Sequence, residues 1–296
     1  MIIQRFTSGL GNQMFQYTFF RLLKKNHPGE KIKADLTWFD CYNEHQGYEL
    51  KKLFDIDLPV ADHFEIARVS GQLPEDVPGH WSVNRLLGKI CGKYKEKHCR
   101  EEISLTDMLS LKPGSNIYIT GFYVSEGYYK DDLPEIRKVF RFPQREADSS
   151  LPLIREIVST ESVSVHVRRG DYLDPVYKDK FDLLREDYYR LAVDRIREIY
   201  DHPHFFIFSD DTEFITKAFD WIPEKERTIV SGNTGADSWK DMYLMSKCRG
   251  NIIANSTFST WGALLGDPEG RHVIYPSAYI AGQDSERKTL EGWERI

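Results

Sequence analysis

From residue 151 onward, short apolar runs alternate with stretches of helical periodicity, and this alternation permits few folds. Val163, Val165 and Val167 set a strand, although Ser164 and His166 interrupt its apolar character. Residues 187–200 read as a helix with Leu191, Val193, Ile196 and Ile199 as its apolar positions. Strands are then expected at 205–208, 228–230, 252–254 and 273–275. Helices are expected between them at 213–219, 237–248 and 258–265. Alternation of this kind reads as α/β with a parallel sheet. The N-terminal half shows the same opening. Residues 1–6 predict a strand, 9–11 a turn, and 13–26 a helix carrying Phe15, Phe19, Leu22 and Leu23 at helical spacing. His27-Pro28-Gly29 ends that helix, and a second strand runs to Asp35. Residues 55–115 are less regular, with loops at Pro59, Pro74, Pro78 and Pro113. A strand follows at 116–120. Two α/β sets predict two domains, 1–150 and 151–296, divided at the polar stretch 144–150. Ligands of open α/β sheets bind at the carboxyl ends of the strands, so the expected site is a cleft where those ends face each other.

Composition narrows the class. The 296 residues carry 40 Lys+Arg against 46 Asp+Glu, a net charge of −6, with 41% hydrophobic residues. Disordered and collagen-like chains are excluded. No apolar run approaches the roughly 18 residues that span a bilayer, and the N-terminus has no signal-peptide pattern. Cys41, Cys91, Cys99 and Cys248 form no CxxC pair and suit reduced thiols, so a cytoplasmic protein is expected. The acidic balance disfavours a nucleic-acid partner; an anionic ligand needs a local basic pocket. Arg85, Lys89, Lys93, Lys95, Lys97 and Arg100 cluster. They read either as a solvated helix face or as an approach surface for an anionic or lipid-linked acceptor.

Four motifs fall at strand–helix junctions. Gly9-Leu10-Gly11-Asn12-Gln13 begins like a dinucleotide fingerprint, and Asp35 stands where a ribose-binding acid could be. Met14 leaves GxGxxG incomplete, so an NAD-dependent oxidoreductase is a weak alternative. What remains is a tight turn with free N–H donors at a helix start. His166-Val167-Arg168-Arg169-Gly170-Asp171-Tyr172 places two arginines at a strand tip, where burial requires an anion or a carboxylate. Guanidinium forks suit phosphate oxygens. Strand alternation predicts that one arginine faces the cleft while the other is structural, for instance beside Asp171. Ser209-Asp210-Asp211 ends another strand, and three roles stay open for it: a Mg²⁺ or Mn²⁺ site, a carboxylate reading guanine N–H donors, or a helix cap. Asn255-Ser256-Thr257-Phe258-Ser259 reads as an anion cradle or as ordinary capping. Asp55-Ile56-Asp57, His202-Pro203-His204 and the pairs Tyr128/Tyr129 and Tyr188/Tyr189 read as ordinary surface and packing residues.

In combination and order these motifs resemble the α-1,2-fucosyltransferases of glycosyltransferase family 11, in particular compact bacterial members. The resemblance extends over nearly the whole chain. It runs from Gly9-Leu10-Gly11-Asn12-Gln13-Met14-Phe15-Gln16-Tyr17 through 121–129, 166–172, Phe208-Ser209-Asp210, 241–248 and 252–261. The family carries glycine where Ser8 stands and tryptophan where Thr260 stands, and commonly His near Gly250 and Gln near Val124. The resemblance implies a GT-B-like α/β fold of two Rossmann-like domains with parallel sheets facing a central cleft. The N-terminal domain would lie on the acceptor side and the C-terminal domain would hold GDP-fucose. It implies an inverting transfer from GDP-β-L-fucose to the 2-hydroxyl of a terminal galactoside, with no required cofactor or metal. The acceptor would be an oligosaccharide or lipid-linked glycan, with at most peripheral membrane contact. Carried onto this chain, Arg168 clasps the β-phosphate. His166 and Asp210 or Asp211 meet the guanosine, with Arg169 beside them. Asn255, Ser256, Thr257, Phe258 and Ser259 cradle the phosphates, and Gly11 and Asn12 reach in from the other domain. Asp171, Asp174 and Glu126 are the carboxylates that could accept the acceptor's proton. A transferase of another GDP-sugar is the nearest alternative.

Overall fold

The computed structural model describes residues 1–42, 45–86, 98–143, 151–173, 183–280, 283–284 and 290–296. The chain divides into two compact units, Met1–Val139 and Phe140–Ile296. Lys89, Lys93, Lys95 and Lys97 of the basic cluster, Cys91, the stretch 144–150 and Asp174 lie outside the described residues.

Unit 1 is built on a parallel four-stranded sheet of β1 (Ile2–Arg5), β2 (Ile32–Asp35), β3 (Cys99–Glu101) and β4 (Ile117–Thr120), ordered β2-β1-β4-β3. Its helices are α1 (Leu10–Asn26), α2 (His63–Ser70) and α3 (Leu133–Val139), with shorter turns between. Phe15, Phe19 and Leu23 of α1 are buried as their spacing requires, and Phe19 stacks on Tyr123 with ring centroids 3.7 Å apart. Leu22 is only half-buried. The helix starts earlier than the sequence predicts. Gly9 is its extended cap, and the Gly9 carbonyl already accepts hydrogen bonds from the N–H groups of Asn12 and Gln13. Gly11 therefore lies inside the first helical turn. The α2 helix begins with a capping box, in which Asp62 accepts the Glu65 N–H and Glu65 accepts the Asp62 N–H. Edge strand β3 escapes sequence analysis because Cys-Arg-Glu has no apolar alternation; only pairing with β4 makes it a strand.

Unit 2 carries a six-stranded sheet, parallel throughout, of β5 (Glu161–Val167), β6 (Pro203–Ser209), β7 (Arg227–Ile229), β8 (Gly250–Ile252), β9 (His272–Tyr275) and, after the small antiparallel pair β10 (Ala278–Ile280) and β11 (Gln283–Asp284), β12 (Glu294–Arg295). The order is β12-β9-β8-β5-β6-β7. Helices α4 (Leu151–Ser159), α5 (Glu186–Ile199), α6 (Thr212–Ala218), α7 (Trp239–Lys247) and α8 (Thr257–Leu264) alternate with the strands. Ser164 is tolerated in the core because its hydroxyl accepts a 2.6 Å hydrogen bond from the Asn251 amide on neighbouring β8. The buried stripe of α5 is Tyr188, Tyr189, Ala192, Val193 and Ile196. Leu191 and Ile199 are instead 58% and 40% exposed. The two tyrosines at the start of the helix set its phase, and Leu191 falls off that stripe. Helices α7 and α8 approach closely at Gly262, where a Cβ would lie 2.8 Å from Met245 Cβ. Phe140 meets Trp261 edge-on at 5.1 Å, and Phe142 stacks on Trp239 at 5.4 Å. These contacts bind residues 140–142 to unit 2, which is why the division falls directly after Val139. Among the described residues no helix is long and apolar enough to cross a membrane.

Candidate active site

Strands β5 and β6 run in parallel register, with Val167 opposite Ser209. Both strands end there, so the next residues meet pairwise. Arg168 Nη1 lies 2.8 Å from Asp210 Oδ2. Arg169 Nε donates to Asp211 Oδ2 at 3.2 Å, and the Arg169 backbone N–H donates to Asp210 Oδ1 at 2.9 Å. The Arg169 guanidinium also sits 3.5 Å from the centroid of the Phe214 ring on α6. Strand alternation therefore does not sort the two arginines, because the strand stops before them; the facing carboxylates do. The Arg168 and Arg169 side chains are 23% and 22% exposed. Ion pairs this accessible add little stability. Their consequence is geometric, fixing where each guanidinium points. Gly170 belongs to the arrangement, since a Cβ there would lie 2.8 Å from Asp210 Oδ2. The Asp171 side chain, expected beside one of the arginines, lies outside what is described.

The pairing also bears on the aspartates. Asp211 caps α6, accepting the Phe214 N–H on Oδ1 at 3.0 Å. Each oxygen of Asp210 and of Asp211 thus already accepts a hydrogen bond or faces a guanidinium, and a purine edge would have to share them. Among the described residues no three His, Cys, Asp or Glu side chains converge as metal ligands.

His166, one residue before the end of β5, is buried, and its ring tilts against Phe258 at 5.9 Å. Burial lowers its pKa to about 4; the Asp210 charge opposes this and Arg168 reinforces it. The imidazole is therefore neutral at pH 7. Its Nδ1 is buried with no hydrogen-bond partner, an open position that a ligand can fill.

The turn after β8 supplies the third component. Ser256 caps α8 by accepting the Phe258 N–H at 3.3 Å. Ser259 Oγ accepts the Ala254 N–H at 3.2 Å, and Thr260 Oγ1 donates to the Ser256 carbonyl at 2.9 Å. These hydroxyls fold the turn on itself, as ordinary capping does. Asn255 and Ser259 are buried, whereas Thr257 and Phe258 are half-buried. The Tyr172 hydroxyl donates to the Asn255 carbonyl at 2.8 Å, joining this turn to the arginine loop.

In unit 1 the motif residues are held within their own unit. Gln13 Nε2 donates to the carbonyls of Ser8 and Gly47, both at 2.8 Å, while its Oε1 accepts the Glu49 N–H at 2.9 Å. Gly11 is buried within α1 and Asn12 is half-buried in its first turn. Glu126 opens a single 3₁₀ turn, Glu126–Tyr128, and is half-buried. Asp35 is no ribose ligand. Oδ1 accepts the Thr37 N–H and hydroxyl, and Oδ2 accepts the Tyr118 hydroxyl at 2.6 Å. Asp55 and Asp57 are exposed partners of Lys51.

Two carboxyls, a buried Glu49 and a half-buried Asp241, were not singled out as functional from the sequence. Glu49, beside the Leu10 N–H, is raised to about 7 by burial. Asp241, in the first turn of α7, is also raised to about 7 by burial and accepts from Asn233 Nδ2 at 2.7 Å. The available signal for Asp241 was an acid flanked by Trp239, Met242 and Tyr243, where a solvent-facing residue has little room.

The strand tips of this sheet thus gather paired arginines, a neutral imidazole and a capped helix start, groups that suit an anionic ligand. A family model described as glycosyl transferase family 11 matches residues 94–296, more than half of the chain. The chain belongs to that family. An alpha-1,2-colitosyltransferase of Escherichia coli is 30% identical, over 100% of this chain and 99% of its own length. The O-antigen biosynthesis glycosyltransferase WbnK of Escherichia coli is 26% identical, over 97% of each chain. A mouse galactoside 2-alpha-L-fucosyltransferase, Sec1, is 30% identical over 90% of this chain and 64% of its own. The crystal structure of NodZ alpha-1,6-fucosyltransferase soaked with GDP-fucose shares the fold, with a TM-score of 0.53 at 16% identity over 90% of this chain and 92% of NodZ.

Proposed function

We propose that this enzyme transfers L-fucose from GDP-β-L-fucose to the 2-hydroxyl of a terminal galactoside on a glycan, with inversion and without an obligatory metal. The observation that carries the proposal is Arg168, oriented by Asp210 next to a neutral, buried His166 at the tips of β5 and β6. As the glycosidic C1–O bond lengthens, negative charge builds on the β-phosphate. A preorganised guanidinium and the N–H groups at the start of α8 stabilise it. The acceptor oxygen bonds to C1, GDP departs with the bonding pair, and the hydroxyl proton passes to a carboxylate, for which Asp171 and Glu126 are the candidates. His166 meets the guanosine through its open Nδ1. Asp210 or Asp211 meets the guanine. Unit 1 serves the acceptor. The proposed setting is cytoplasmic, at most peripheral to the inner membrane face, where a lipid-linked glycan is in reach.

A second reading concerns the donor alone. The relative covering the full chain is named an alpha-1,2-colitosyltransferase, and colitose is fucose lacking the 3-hydroxyl. One experiment tests both. The enzyme is incubated with GDP-fucose or GDP-colitose and a panel of galactosides, with and without EDTA. Fucosylated product unaffected by EDTA is expected. Product only from GDP-colitose selects the second reading. Loss in EDTA restored by Mn²⁺ overturns the metal-free mechanism.

A further inference from the structure

We propose that Tyr172 is a positioning residue that holds the arginine loop and the turn at 255–259 in one arrangement, so that both parts of the donor site meet the diphosphate together; this rests on the donor reading above. The β5–β8 ladder ends with Val165 opposite Ile252. Three residues further along each chain stand Arg168 and Asn255, beyond the last strand pairing. Tyr172 spans this gap. Its backbone is fixed to the arginine loop, because the Leu173 N–H donates to the carbonyls of Arg169 and Gly170 at 3.0 and 3.3 Å, closing the 3₁₀ turn Asp171–Leu173. Its ring stands 5.8 Å from the Arg168 guanidinium carbon, and its buried hydroxyl donates to the Asn255 carbonyl at 2.8 Å. One side chain thus lies beside the phosphate-clasp candidate and hydrogen-bonds the first residue of the cradle.

Two tyrosines in the first turn of α5 provide the contrast. Tyr188 donates to the Ile253 carbonyl at 2.7 Å, with the Ile274 carbonyl of neighbouring β9 at 3.4 Å, and Tyr189 to the His166 carbonyl at 3.2 Å. The Tyr188 bond ends on the residue next to the ladder, where the sheet already holds the chain. It is a hydroxyl–carbonyl bond of the same chemistry and burial without the bridging position.

The test compares Tyr172→Phe with Tyr188→Phe, each losing one hydroxyl and keeping its ring. A lost hydrogen bond that positions a ligand site weakens binding by about five- to tenfold. Tyr172→Phe is therefore expected to raise the Kd for GDP and the KM for the donor by that factor. The acceptor KM stays unchanged and the melting temperature moves by a few degrees at most. Tyr188→Phe is expected to lower the melting temperature and leave the GDP Kd unchanged. The proposal is overturned if Tyr172→Phe binds GDP as the wild type does, if Tyr188→Phe weakens GDP equally, or if Tyr172→Phe melts roughly ten degrees lower and its role is merely structural. A wild-type enzyme that binds no GDP is a separate result, and it defeats the donor reading itself.

Discussion

The two units place motifs at equivalent positions, just beyond the first strand tip of each, and arm them differently. In unit 1 the Gly9–Gln13 segment is held by neutral amides. Gln13 makes three hydrogen bonds, and Gln16 binds the Thr7 N–H and donates to the Gly121 carbonyl. In unit 2 the corresponding segment is held by charge, through Arg168–Asp210 and Arg169–Asp211, beside an imidazole whose Nδ1 has no partner. Satisfied amides rigidify a backbone; ion-paired guanidiniums and an open ring nitrogen are what the proposed donor site would use. The same topological position is therefore held by neutral hydrogen bonds in one unit and by ion pairs in the other.

If that contrast holds, the two motifs fail in different ways. Arg168→Ala is expected to cut kcat/KM by about 10²–10³-fold or more with little change in melting temperature. Wild-type kcat/KM in that variant would remove the arginine from the mechanism. Gln13→Ala is expected to cost about 3 kcal/mol of stability, since three backbone groups, the buried Glu49 N–H among them, lose their partner. Thermal denaturation should read this as a drop of about 6–12 °C. A smaller effect comes from His166. Its folded pKa of about 4 lies below the ordinary 6.5. The unfolded chain then binds the proton first, so this group's stabilisation is present above pH 6.5 and is lost as pH falls toward 4. His166→Gln removes that loss, so its melting temperature relative to wild type should improve on going from pH 7 to pH 5. Glu49 works in the opposite sense. Raised to about 7, it contributes most at low pH and loses that contribution as pH rises through 7. Glu49→Gln should therefore gain on wild type between pH 5 and pH 8. The smallest effect is at Ser8, which sits at φ +66°, in the left-handed region that favours glycine. Ser8→Gly should stabilise unit 1 by up to about 1 kcal/mol, the left-handed penalty less the flexibility glycine adds to the unfolded chain.

Much of this was legible locally. Periodicity and capping residues predict strand tips at Val167, Phe208 and Ala254 and helix starts at Glu213 and Phe258, where the structure has Val167, Ser209, Ile252, Thr212 and Thr257; the two-residue offset at Ile252 apart, this was enough to place the His166–Arg169, Asp210–Asp211 and Asn255–Ser259 segments at one sheet edge without coordinates. The exposure of Leu191, the start of α1 at Leu10 and the strand Cys99–Glu101 were not legible. Each depends on which neighbour arrives to cover a face or complete a ladder.

By itself the sequence determined the order of elements and the chemical groups at their ends, because apolar spacing and caps act over a few residues. Only the tertiary structure decided which of those groups meet. The Val167–Ser209 register, joining residues about forty positions apart, sets Arg168 against Asp210 and Arg169 against Asp211. Burial under the packed sheet edge, which no local pattern encodes, makes His166 neutral.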